Sequence, residues 1–344
     1  MYTKPKDEIS VILAQYHIVP NYFETVGKVV KVYTNQGVFA LKEANANRVY
    51  RNNLVANVRS LQDKGFRNVV PIYHTQNGDY VVEYNTKHYY LMPWIENVDS
   101  RSDENLHFQR MFTSLGKMHN RTQKEKKVDK EQLQTHFDKL TNRWSKDKEV
   151  LETFIESAES NWYMSPYELS YCTYFHKVLS AHNFAKAQLE EWYKKMKETE
   201  NTRIVMNHGS LSISHFLVNE RGEGVFINLE NAQETTPIQD LTNYYKSSFK
   251  TYPIQQTERN NWLKMYEKNF SLREEEKLLF MSYMAYPTQF SNKISTYMKR
   301  SGVKNEKENV KNLLHSFWHM NNIEFFVSKI REEIEAAKAV DIDM

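Results

Sequence analysis

Chemistry in this chain is concentrated in one stretch, where His208-Gly209-Ser210-Leu211-Ser212-Ile213-Ser214-His215 is followed by Ile227-Asn228-Leu229-Glu230 and then Asp240-Leu241. Imidazoles, hydroxyls, an amide and carboxylates so close together suggest proton transfer or cation binding. Taken singly, each is a weak tool. The Ser210 hydroxyl is too weakly basic near neutral pH to take a proton from a substrate. Magnesium selects hard, charged oxygen ligands, so the His215 imidazole and the neutral Asn228 amide form a poor site for it. His208 and His215 have no matching cysteine or further histidine nearby to complete a zinc tetrahedron, so no metal is expected. A lone histidine beside glycine is usually packed and hydrogen-bonded, which makes His208 structural. Glu230 is the carboxylate left at the centre. In an extended segment it shares a side with Asn228, which would let it serve as a displaced metal contact. Far upstream, Gly37-Val38-Phe39-Ala40-Leu41-Lys42-Glu43 is an apolar strand carrying one cation, Lys42.

The order of these residues resembles the aminoglycoside phosphotransferase and choline kinase branch of the kinase-like superfamily, whose motif reads His-Gly-Asp-Leu-His-x-x-Asn, then Ile-Asp-Phe-Glu, then Asp-Leu. His208, Gly209, Leu211, Ile227, Glu230, Asp240 and Leu241 match it. Ser210, His215 and Asn228 stand where that pattern has its catalytic aspartate and its two metal ligands. The resemblance implies an α+β, bilobal protein-kinase-like fold, with a small β-rich lobe over 1–93 and a larger, mainly helical lobe over 94–344. It also implies that Lys42 is the phosphate-contacting lysine, that Lys42 and Glu230 are the remnant of a nucleotide site, and that His208, Gly209 and Asp240 are structural. Loss of a positioned base costs about 10²–10⁴ in rate. No glutamate lies between Ala44 and Val82 to hold Lys42, and Val26-Gly27-Lys28-Val29-Val30 has one glycine where a phosphate loop would need several. The expectation is a pseudokinase with no catalytic residues, no metal and no cofactor, its site being a poor one for ATP and magnesium. Two other readings stand beside it: a residual small-molecule or protein phosphotransferase that places metal through Glu230, and a sensor in which Lys42 binds nucleotide without transfer.

Gly65-Phe66-Arg67-Asn68-Val69-Val70-Pro71, the Asn77-Gly78-Asp79 turn and Leu91-Met92-Pro93-Trp94-Ile95-Glu96 together resemble the kinase-like spore coat proteins of endospore-forming bacteria. That resemblance implies synthesis in the mother-cell cytoplasm, assembly into the coat and other coat proteins as partners. The 22 tyrosines are compatible with oxidative cross-linking there, although an aromatic-rich core would use most of them.

The elements that must position these residues follow from patterning. Across 344 residues, a hydrophobic content of 40% is enough for a substantial core. Val29–Tyr33, a turn at Asn35-Gln36-Gly37 and Val38–Lys42 predict a hairpin, with a helix from Arg48 to Lys64 packed on it. Ile72–His74 and Tyr80–Glu83 are expected as strands around the turn Gln76-Asn77-Gly78, with Tyr89–Met92 as the last strand. Helices are expected over Phe108–His119, about Glu131–Glu159 and about Pro166–Glu198. The first contains Leu115-Gly116-Lys117-Met118-His119, similar to a signature of the same families. Ser271-Leu272-Arg273-Glu274 reads as a capping box, and Arg121–Lys127 as a solvated basic linker that could also meet an acidic partner. The 46 basic and 43 acidic residues leave +3, which signals neither nucleic acid nor membrane surface. Cys172 is the single cysteine, so no intramolecular disulfide forms. The charged N-terminus lacks a secretory core and no apolar run reaches about 18 residues, so neither secretion nor membrane insertion is expected.

Overall fold

The computed structural model describes residues 6–44, 48–98, 103–299 and 305–342. It opens with helix α1 (Lys6–Ala14) and strands β1 (Tyr22–Val26), β2 (Val29–Thr34) and β3 (Gly37–Ala44), followed by helix α2 (Arg48–Asp63) and strands β4 (Val82–Tyr84) and β5 (Lys87–Pro93). Helix α3 (Glu104–Thr122) leads through β6 (Lys124–Lys127) into the long helices α4 (Lys130–Ser160) and α5 (Pro166–Glu198). Strands β7 (Asn201–Asn207), β8 (Phe216–Val218), β9 (Gly224–Phe226) and β10 (Gln233–Thr235) carry the candidate chemistry. Helices α6 (Ile238–Ser248), α7 (Glu258–Glu267), α8 (Glu274–Ala285), α9 (Thr288–Lys299) and α10 (Glu306–Ile342) complete the chain. The class is α+β, with an antiparallel N-terminal sheet and a helical C-terminal part, as the motifs implied.

Packing divides the chain into two compact units: one takes the residues up to Lys124 with Ile204–Asp240 and Met265–Phe270, the other Glu125–Arg203, Leu241–Lys264 and the part from Ser271 onward. In the first unit the strands run in the order β1-β2-β3-β5-β4. Alternation gives the sheet two faces. Val30 and Val32 of β2 pair with Leu41 and Phe39 of β3, and Leu41 pairs with Leu91 of β5, so these side chains share one face. That face is covered by Ile9, Ile12 and Leu13 of α1, at most 1% exposed and spaced to line one side of a helix. Burying each such side chain contributes about 1.5–3 kcal/mol. The opposite face presents Lys42 and its cross-strand partner Tyr90. The second unit has its own core, in which Leu151 and Phe154 of α4 meet Tyr167, Tyr171 and Val178 of α5 and Phe290 and Ile294 of α9. Helix α5 starts as the sequence dictates: the Ser165 hydroxyl accepts from the Glu168 N–H, the Glu168 carboxylate accepts from the Ser165 N–H, and Pro166 occupies the first turn.

Several sequence expectations are corrected. Neither α1 nor β1 was anticipated, because a charged N-terminus masked the short apolar periodicity of Ile9, Ile12 and Leu13. Ile72–His74 forms only a single bridge, from Tyr73 to Leu91, and the hairpin runs instead from β4 to β5 around Asn85 and Thr86. Both turn residues have positive φ, +47° and +64°, the geometry of a type I′ turn. The first residue of α8's cap is Arg273, not Ser271; its backbone N–H donates to the Glu276 carboxylate at 2.7 Å, so only half of a capping box forms. Arg121 to Lys127 is not a linker, since Arg121 and Thr122 end α3 and the next lysines form β6.

Candidate functional site

The loop after β7 is built on a buried carboxylate. Asp240, in the first turn of α6 and 1% exposed, accepts from the His208 N–H at 2.6 Å and the Gly209 N–H at 2.9 Å. The Asn207 side chain caps the same helix, its Oδ1 accepting from the Asp240 N–H at 3.1 Å. Burial works against ionised Asp240, but His119, 3.6 Å away, together with His208 and its backbone donor outweighs it and holds the pKa below the usual carboxylate range. His119 is the last residue of the leucine-gly-x-x-His motif, so two distant motifs meet at Asp240. The glycine of that motif is also explained: a Cβ on Gly116 would stand 2.6 Å from the Tyr266 carbonyl oxygen.

His208 is a fixture of the loop. Its Nε2–H donates to the Ile227 carbonyl at 2.9 Å, and its Nδ1 accepts from the Ser210 N–H at 3.2 Å. Burial lowers its pKa, so the neutral ring is held in one tautomer with both nitrogens engaged. Gly209 has φ +78°, and a side chain there would collide with the Asn231 backbone.

Beside this loop the remaining candidate residues converge in a single polar chain. Lys42 makes an ion pair with Glu230 Oε1 at 2.7 Å, and its ammonium also donates to Asn228 Oδ1. The Tyr90 hydroxyl donates to the same Glu230 oxygen at 2.9 Å, and burial followed by the Glu230 charge drives the phenol pKa well up. With Oδ1 taken by an ammonium, the Asn228 amide nitrogen points the other way, donating to His215 Nε2 at 3.1 Å. His215 then carries its proton on Nδ1, which donates to the Ser210 carbonyl at 2.7 Å. The Ser210 hydroxyl accepts from the Asn231 amide at 2.7 Å. Every donor direction is thereby fixed from Lys42 to Ser210.

The local backbone explains the convergence. Lys42 and Tyr90 are register neighbours on one face of the sheet. Asn228 is left-handed, at φ +64° and ψ +47°, and Leu229–Asn231 is a 3₁₀ turn. This corrects the extended geometry expected for 228–230: the two side chains reach the same ammonium because the chain coils there. The segment is anchored by α2, whose Asn57 donates to the Ala232 carbonyl at 2.7 Å, and by β9, where Phe226 bridges in parallel to Val69. Lys42 therefore has a carboxylate partner, taken from the later hairpin rather than from the helix that follows it. Tyr90 and Asn231 were not singled out in the sequence. Their types carry no signal, and only the register and the 3₁₀ turn bring them in.

One Glu230 oxygen, Oε1, already serves an ammonium and a phenol. Among the described residues there is no group of three or more histidine, cysteine or acidic side chains able to hold a metal ion.

No protein-family profile matches the chain, and no curated protein sequence does. Solved structures do. An aminoglycoside phosphotransferase from Alicyclobacillus acidocaldarius superposes with a TM-score of 0.71 over 98% of each chain at 11% identity. The chain has the aminoglycoside phosphotransferase fold. A spectinomycin phosphotransferase solved with AMP gives a TM-score of 0.53 at 12% identity, covering 94% of this chain and 98% of the other. An amicoumacin kinase gives 0.52 at 13% identity, covering 93% and 95%. Within that fold the Lys42 pair has a measurable consequence. Both partners are less than one-fifth exposed, at 18% and 16%. Lys42→Met is expected to lower unfolding stability by about 2–4 kcal/mol, because it leaves a largely buried carboxylate without its counter-charge. In a double-mutant cycle with Glu230→Gln by urea unfolding, a coupling above about 1 kcal/mol is expected; additive losses would show that the pair does not stabilise the fold.

Proposed function

We propose that the chain is a catalytically degenerate kinase-like protein, used as a structural or assembly component of the bacterial spore coat. The observation that carries the loss of catalysis is what stands at the base and metal positions of the motif: Ser210, His215 and Asn228 offer no carboxylate there and bond to one another instead, Asn228 to His215 Nε2 and His215 to the Ser210 carbonyl. The coat role is supported by the resemblance of Gly65–Pro71, Asn77–Asp79 and Leu91–Glu96 to kinase-like coat proteins, the YutH type in particular. No described helix is long and apolar enough to cross a membrane.

A second reading, the nucleotide sensor, is favoured by the partial exposure of Lys42 and Glu230, which leaves the pair reachable from solvent. A residual phosphotransferase would need a divalent ion to compete with an ammonium for Glu230, and is the weaker alternative. The coat assignment is tested in a spore-forming host. A tagged copy is expected in the coat extract of purified spores, and a deletion should alter the coat's protein composition. Recovery only from vegetative cytosol, with an unchanged coat, would overturn it.

A further inference from the structure

We propose that the second compact unit carries a binding site for an amphipathic carboxylate, whose apolar body enters a chamber between α5 and α10 and whose anion meets Lys246. The chamber has a volume of about 240 Å³ and is walled chiefly by Ala181, Phe184, Met320 and Val327. A smaller compartment of about 40 Å³ shares two of its walls, Ala285 and Met320, and is lined by Lys246, Thr288, Ser316 and His319. Apolar space and a polar end therefore adjoin. The smaller compartment exceeds the roughly 10–15 Å³ that one water needs, so it has room for a small polar head group such as a carboxylate.

Lys246 gives the site its sign. Its side chain is half-buried and its ammonium makes no hydrogen bond or ion pair with any described residue, which leaves the charge open to an incoming anion. Burial pushes its pKa down to about 8, with Arg143 adding repulsion. No neighbour supplies the missing anion. His319 donates Nε2–H to the Lys246 carbonyl at 2.8 Å and burial lowers its pKa. The Tyr286 hydroxyl is bonded to Asp147. In the apolar chamber Glu324 and Arg331 have partners of their own, Lys177 at 3.9 Å and Glu335 at 2.7 Å. The unmatched charge is at the polar end, where the head of a bound carboxylate would lie.

Trp144 supplies a reporter, since its ring stacks on Tyr286 with centroids 4.1 Å apart. The full chain is titrated with octanoate, octan-1-ol and octylamine while tryptophan fluorescence is followed. Octanoate should bind about 10–100-fold more tightly than either of the others, the range of a charge-assisted hydrogen bond. Lys246→Met, which removes the charge without shortening the side chain, should abolish that preference and leave the alcohol's affinity unchanged. Ala181→Trp should weaken all three ligands by filling the chamber. Equal binding of octanoate and octanol, a preference that survives Lys246→Met, or no saturable binding of octanoate would each overturn the proposal.

Discussion

Gly209→Ala is expected to lower unfolding stability by more than about 3 kcal/mol, because a left-handed backbone alone costs a residue with a side chain about 1–2 kcal/mol and the new methyl has nowhere to go. It would lie 1.9 Å from the Asn231 carbonyl oxygen and 2.5 Å from its carbon. Relief requires the backbone to part, yet the Asn231 amide is bonded to Ser210 and the Gly209 N–H to Asp240. Gly222 is the matched control. Its φ of +74° is similar, but a Cβ there meets nothing within 4 Å. Gly222→Ala should therefore cost only the conformational part, about 1–2 kcal/mol. Urea unfolding of both variants separates strain from collision. Equal losses would mean that the close approach of residue 209 to Asn231 is not a feature of the folded protein.

Asp240→Ala should cost about 3–5 kcal/mol, since it strands two buried backbone donors and each unsatisfied group costs about 1–3 kcal/mol. The His208 and Gly209 N–H groups have no other acceptor of comparable reach in the loop they define. Asp240→Asn should be milder, because one oxygen survives to accept while the amide nitrogen confronts the second donor. Unfolding curves for the two variants should rank Ala below Asn below the parent. A loss under about 1 kcal/mol for Asp240→Ala would show that the loop does not depend on this anchor.

The fold was legible where chemistry is local. The hairpin of β2 and β3 and helices α2, α4 and α5 follow from alternation, turn glycine, caps and period. The order of His208, Gly209, Glu230 and Asp240 pointed to the kinase-like fold despite the substituted carboxylates. What the sequence hid is long-range or conformational. Lys42 had no glutamate in the helix that follows it, and its partner arrives through the left-handed conformation of Asn228 and the 3₁₀ turn behind it, which no spacing rule announces. Helix α1 is short and makes sense only against the sheet face that it covers. The Asn85-Thr86 turn lacks the glycine that usually marks a type I′ hairpin, so the strand pairing was assigned one hairpin too early.

The central claim is that Lys42 serves the fold rather than a nucleotide, and calorimetric titration with ATP tests it most directly. The protein and Lys42→Ala are each titrated with and without magnesium, after urea unfolding has shown both to be folded at the working temperature. No saturable heat up to millimolar ATP is expected in any of the four experiments. Binding that requires both magnesium and Lys42 would contradict the claim and restore the phosphotransferase reading.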